Sequence, residues 1–145
     1  MRSTYETFWD RASFAVVGDS PHRAFPKLTY RGLKALGKTV FALDSTEREI
    51  DGDPVFRDLA ALPQSVDAIV LEVPKSQTRT WIERAADAGI HDVWIHMGTE
   101  SPDALALAKD RGLDARSGTC AVMYLTPHFS YHSLHKWAMK LVGRY

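Results

Sequence analysis

The chain has 145 residues, 45% hydrophobic and 25% charged, the size and balance of one globular domain that buries a core without disulfides or metal. Eighteen basic against eighteen acidic residues leave no net field to steer it toward nucleic acid or an anionic membrane, so any anion site must be local. One cysteine, Cys120, excludes an intramolecular disulfide, and the longest apolar runs fall far short of a membrane span.

Tyr5, Phe8, Trp9 and Ala12 form an apolar stripe at the N-terminus that predicts a helical segment. Residues Met1 to Arg11 include Glu6 and Asp10 and lack an apolar stretch, so a cytoplasmic protein without a secretory leader is expected. Phe14-Ala15-Val16-Val17 reads as a buried strand ending at Gly18. Leu28, Gly32, Leu33 and Leu36 then share one helix face, closed by Gly37. Thr39 to Leu43 is a second strand ending at Asp44, and Val55-Phe56 a very short third. Ala68 to Val73, stopped by Pro74, is the fourth. Trp81, Ile82, Ala85 and Ala88 mark the next helix, ending at Gly89. Asp92 to Met97 is a fifth strand stopped by Gly98, and Ser101-Pro102 opens a helix that runs through Leu105 and Ala108 to Gly112. Leu113 to Arg116 is a sixth strand, and Leu134, Trp137, Ala138 and Leu141 predict a C-terminal helix.

Strands alternating with helices in this way predict a single α/β domain over residues 1–145, Rossmann-like and doubly wound. Its sheet should be mainly parallel in the order 3-2-1-4-5-6, with helices on both faces. A ligand crevice is then expected at the carboxyl ends of the first and fourth strands. That places Gly18 to Lys27 on one side and Val73-Pro74-Lys75 on the other. Gly18 would allow a tight turn and close approach of a diphosphate, and Ser20, Arg23 and Lys27 precede a helix N-terminus. Neither G-x-G-x-x-G nor G-x-x-x-x-G-K-[ST] occurs, and the alternative reading of Arg23 and Lys27 is that of solvated loop charges.

Several of these pieces carry a resemblance. Phe14 to Pro21, Pro26, Thr29-Tyr30-Arg31, Asp44-Ser45, Gly52 to Phe56 with Leu59 and Leu62, Val73-Pro74, Trp94 to Gly98 and Gly118-Thr119-Cys120 occur in the order and spacing of a known family. The chain resembles, over about residues 12 to 125, the small stand-alone CoA-binding proteins, similar to the N-terminal domain of the succinyl-CoA synthetase α subunit. The resemblance implies coenzyme A, or an acyl-CoA, along the carboxyl edge of the sheet. The diphosphate would meet the loop at Gly18, Ser20 and Arg23, with Asp19 among the cofactor-binding residues, and adenosine would lie near Ser45 to Arg48 and Val73 to Lys75. Arg48 or Lys75 would take the 3′-phosphate, and Gly98 and Cys120 complete the edge. The chain departs from the family in having Asp44 where asparagine is usual and His96 where glutamine is often found.

Asp44 opens an alternative, an NAD or NADP site in a redox-sensing or oxidoreductase-associated domain, since a carboxylate after the second strand can hold a ribose 2′-hydroxyl. On that reading Asp44→Ala impairs NAD binding and leaves CoA affinity equal or improved. No independent catalysis is expected. Cys120 is one thiol without an activating partner placed by the sequence, and the commoner role of such a residue is a small buried hydrophobe. His128 and His132 have the i, i+4 spacing of metal ligands but lack an H-E-x-x-H arrangement. Glu72 and Glu100, at or after strand ends, form no evident pair with a purpose. The expected partner is a small-molecule cofactor, with a homodimer or a partner enzyme left open by the aromatic terminal segments.

Overall fold

The computed structural model of the chain describes residues 3–119 and 121–125. The strands are β1 (Ser13–Val17), β2 (Thr39–Leu43), β3 (Glu49–Ile50), β4 (Asp53–Phe56), β5 (Ala68–Leu71), β6 (Asp92–Ile95) and β7 (Asp114–Arg116). The helices are α1 (Thr4–Thr7), α2 (Lys27–Ala35), α3 (Lys75–Asp87), α4 (Pro102–Asp110) and α5 (Val122–Leu125). One sheet runs β3-β4-β2-β1-β5-β6-β7. Every pairing is parallel except β3 with β4, which is antiparallel at the edge. Without that two-residue edge strand the order is the doubly wound one expected from the alternation of strands and helices.

Central strands buried on both faces need apolar residues at consecutive positions, and β1 and β5 have them throughout. Phe14 and Val16 point to one face, where Tyr30 and Leu33 of α2, Trp94 of β6 and Leu125 of α5 cover them. Ala15 and Val17 point to the other, against Trp81, Ile82 and Ala85 of α3 and Ala104 and Ala108 of α4. Ser101 caps α4 by accepting from the Ala104 amide, and Pro102 follows at its first turn, as that pair of residues predicts.

The N-terminal stripe belongs to the first face. α1 is held by a capping box between Ser3 and Glu6 and gives way to a 3-10 turn over Phe8–Asp10. Phe8 is completely buried, and its ring lies 4.7 Å from Trp9, 5.3 Å from Trp94 and 5.8 Å from Phe14. Arg116 fastens the segment by donating from Nε to the Thr4 carbonyl at 2.7 Å, with its guanidinium over the Phe8 ring. The aromatic N-terminus thus packs on its own domain. The expected C-terminal helix lies outside the described residues.

Phe8→Ala removes a fully enclosed ring from this cluster and is expected to cost about 3–5 kcal/mol, as core Phe→Ala changes do. Urea unfolding measures it; a loss below about 1 kcal/mol would mean that the N-terminal segment is not part of the cooperative core.

Candidate functional site

At the carboxyl edge, α2 leaves β1 toward one face and α3 leaves β5 toward the other, with β1 paired to both β2 and β5. This is the switch point at which doubly wound sheets form their ligand crevice. Both helices have proline as the residue before the first turn, Pro26 for α2 and Pro74 for α3, and neither has a side-chain cap. A proline there has no side-chain oxygen for the first amides. The Gln77 amide turns to the Pro74 carbonyl and the Lys27 amide to the Phe25 carbonyl, and the positive ends of the two helices meet the crevice without a side-chain cap.

The loop from Gly18 to Pro26 folds back on itself. A Cβ at Gly18 would lie 2.7 Å from Phe25, 2.8 Å from Pro26 and 3.2 Å from the Asp44 carboxylate. Glycine is required because the loop's own residues press on this position, a reason different from the diphosphate approach expected from sequence. The Gly18 amide donates to Leu43, and the His22 and Arg23 amides donate to the Asp19 carbonyl. The amide cradle expected over this loop is therefore largely spent on the loop.

Asp44 is the centre of that arrangement. One carboxylate oxygen accepts from the Ser20 amide at 2.9 Å and the Ser20 hydroxyl at 2.7 Å. The other accepts from the amides of Thr46 at 2.9 Å and Glu47 at 3.2 Å. Burial opposes the charge, but the Thr46 amide, the Ser20 hydroxyl and the amides of Glu47 and Ser20 together hold the carboxyl below its ordinary value. Arg57 closes the 44–47 turn from outside by donating to the carbonyls of Asp44 at 2.5 Å and Glu47 at 2.7 Å. Asp44 thus latches the β1 loop to the end of β2, and a ribose hydroxyl would have to displace these donors.

Asp19 makes a second latch. Its carboxylate accepts from Gln77 of α3 at 2.8 Å and from the Ser45 hydroxyl at 3.3 Å, and it lies 2.5 Å from His22 Nδ1. It therefore ties three segments around the crevice and is not free for acid–base work.

Glu72 and His96 stand one residue beyond β5 and β6 and are both buried. His96 Nδ1 is 3.3 Å from Glu72 Oε1, and Arg23 Nη2 is 3.1 Å from His96 Nε2. Burial raises the Glu72 carboxyl above its usual range, opposed by the Thr29 hydroxyl and the Arg23 charge. His96 is pushed down to about 4, by burial first and then by Arg23, with Glu100 pulling the other way. The composition of the strand ends carries no mark of this cluster. Its signal is topological, since the residues after two neighbouring strands must be neighbours, and both break an apolar run.

The remaining expected residues are less gathered. Val73 is fully buried, Lys27, Ser45, Arg48 and Lys75 are exposed, and Gly98 is an exposed turn residue with φ of +85°. Lys75 lines an open cleft of about 440 Å³ with Ser76, Arg79, Thr80, Ser101 and Asp103, between the starts of α3 and α4. Two further grooves, about 350 and 410 Å³, are lined around Leu59 and Ala88 before β5 and β6, at the opposite edge of the sheet. Cys120 and His128, His132 and His135 lie outside the described residues.

Asp44→Ala leaves the Ser20, Thr46 and Glu47 donors without their acceptor and is expected to cost about 3 kcal/mol. Because the folded carboxyl titrates below its unfolded value of about 3.9, the contribution is complete above that value and is lost as pH falls through the folded one. Urea unfolding of both proteins at about pH 7 and pH 3 should show the difference narrowing in acid, and a gap constant with pH would contradict the latch.

The whole arrangement can be set beside known proteins. A protein from Pyrococcus horikoshii OT3 superposes with a TM-score of 0.73 and 21% identity, covering 84% of this chain and 89% of its own. A conserved protein from Pyrococcus furiosus gives 0.67 and 27%, covering 76% and 96%. A dinucleotide-forming acetyl-coenzyme A synthetase from Ca. Korarchaeum cryptofilum gives 0.59 and 20%, covering 72% of this chain and 25% of the synthetase. No curated protein sequence matches. The model of the CoA binding domain matches residues 12–126, most of the chain, and the protein therefore belongs to the CoA-binding domain family.

Proposed function

We propose that this chain is a CoA-binding module, holding coenzyme A or an acyl-CoA across the carboxyl edge of the sheet without catalysis of its own. The observation that carries the reading is the meeting of two helix N-termini without side-chain caps, those of α2 and α3, beside exposed cations at the switch point of a CoA-binding domain.

The geometry fits such a ligand in a particular way. Since the Ser20 amide and hydroxyl serve Asp44, the diphosphate falls to Arg23, Lys27 and the first turn of α2. Adenosine lies by the 44–48 turn that Arg57 and Asp44 stiffen, with Arg48 in reach of the 3′-phosphate. A ligand with its diphosphate over β1 and its adenosine over β2 must lay its other arm toward β5 and β6. The commitment of both Asp44 oxygens within the chain favours CoA over NAD or NADP, whose ribose would need them.

Calorimetric titration with CoA, dephospho-CoA, NAD and NADP at one salt concentration tests the reading, and CoA is expected to bind tightest. Arg23→Ala should weaken CoA by roughly ten- to a hundredfold, the range for losing a hydrogen bond to a charged group. Arg48→Ala should weaken CoA similarly but leave dephospho-CoA unchanged, which assigns the 3′-phosphate to that residue. Asp44→Ala should weaken CoA through the loosened loop, reversing the sequence expectation that CoA affinity is spared. NAD or NADP binding tighter than CoA would overturn the proposal.

A further inference from the structure

Below the first turn of α2, two neighbouring strands deliver one titratable side chain each to a single buried spot. Val70 and Trp94 face the α2 side, so Glu72 and His96, two residues further on, fall on that same side. Each is more than nine-tenths buried. A guanidinium only donates, so the 3.1 Å contact from Arg23 makes His96 Nε2 the acceptor and leaves the ring proton on Nδ1, toward Glu72. The 3.3 Å approach of that nitrogen to Glu72 Oε1 is not aligned as a hydrogen bond, and the Thr29 hydroxyl, close enough to favour the Glu72 carboxylate, makes no well-aligned bond to it either. Such orphans mark a site whose hydrogen bonding is incomplete in this state.

The charged and titratable groups facing the pair come from three segments. Arg23 arrives from the β1–α2 loop, Glu100 from the turn after β6, and Thr29 of α2 adds a neutral hydroxyl. Among the described residues Arg23 is thus the cation that compensates a buried carboxylate. Its side chain is exposed, and it belongs to the loop that would grip the diphosphate. A ligand phosphate and His96 therefore compete for one guanidinium. If the ligand wins, Glu72 is left buried without a cation while new negative charge settles at the α2 N-terminus, a combination that low-dielectric surroundings penalise.

We propose that a phosphate-bearing ligand draws Arg23 off His96 and that the Glu72–His96 pair takes up one proton in its place, so that binding is proton-coupled. The proposal rests on the reading of this edge as the CoA site. The proton comes from solvent and adds at the vacated Nε2, the Nδ1 proton stays toward Glu72, and imidazolium replaces guanidinium as the carboxylate's counter-charge. Loss of a nearby cation and arrival of an anion both raise the proton affinity of the pair, so uptake occurs between the free pair's titration and its higher titration in the complex. Within that window affinity rises as pH falls, by up to about tenfold per pH unit for one proton.

Titration of CoA at about pH 6 in two non-phosphate buffers of unequal ionisation enthalpy counts the protons exchanged. The native protein is expected to take up more protons than His96→Gln, the ligand's own phosphate protons cancelling in the difference. Arg23→Gln, a change at an exposed position, gives a test without ligand: the His96 imidazole signal in NMR should titrate at higher pH than in the native protein. Equal proton counts in native and His96→Gln protein, or an unmoved His96 titration in Arg23→Gln, would overturn the coupling while leaving CoA binding intact. Absence of CoA binding in the native protein would overturn both the site reading and the coupling.

Discussion

The carboxylate of Asp44, at the end of β2, holds Ser20 of the loop leaving β1, 24 residues away along the chain, and the shape of the crevice depends on it. Through Ser20 it sets the loop leaving β1, and through the amides of Thr46 and Glu47 it sets the turn leaving β2. Buried charge of this kind is tolerable only when fully hydrogen-bonded, and here each oxygen has at least two donors. Gly18 belongs to the same constraint, because the loop can reach Asp44 only if nothing projects from the residue that Phe25 and Pro26 press against. The latch makes the loop rigid before any ligand arrives, and preorganisation of that sort lowers the ordering cost of binding.

A consequence is a division of labour between amides and side chains. In many phosphate-binding loops backbone N–H groups meet the anion. Here several of them are consumed internally, so positive potential must come from side chains and helix ends. The sheet edge accordingly carries acids below, Asp19, Asp44 and Glu72, and exposed cations above, Arg23, Lys27, Arg48 and Lys75. The chain as a whole is neutral, so an anion bound at this edge would draw on this local layering. Arg23 takes part in both layers, which is why the charge of the buried pair and the occupation of the crevice are linked.

Much of the architecture was legible residue by residue. Strands wholly buried on two faces must be apolar at every position, so Phe14 to Val17 and Ala68 to Leu71 announced themselves, and glycine or proline marked most element ends. The two-residue β3 was not legible, since so short an edge pairing has no periodicity of its own. The N-terminal stripe was seen but its form was not, because a one-turn helix followed by a 3-10 turn is held by Trp94 and Arg116, far away in sequence. Within the site, Gly18, Asp19, Ser20, Arg23 and Asp44 do come together at the switch point, although four of them serve the loop itself: Gly18, Asp19, Ser20 and Asp44.

By itself the sequence determined the alternation of strands and helices and the order of the parallel strands, and from these the edge at which a ligand is expected. Those follow from local burial patterns and from the few ways in which such units connect. Only the tertiary structure decided which polar groups remain for that ligand. A hydrogen bond from Ser20 to Asp44, or from Arg23 to His96, joins residues whose separation along the chain says nothing of their distance. Donors and acceptors are allotted by geometry, and geometry exists only once the sheet has brought the strand ends side by side.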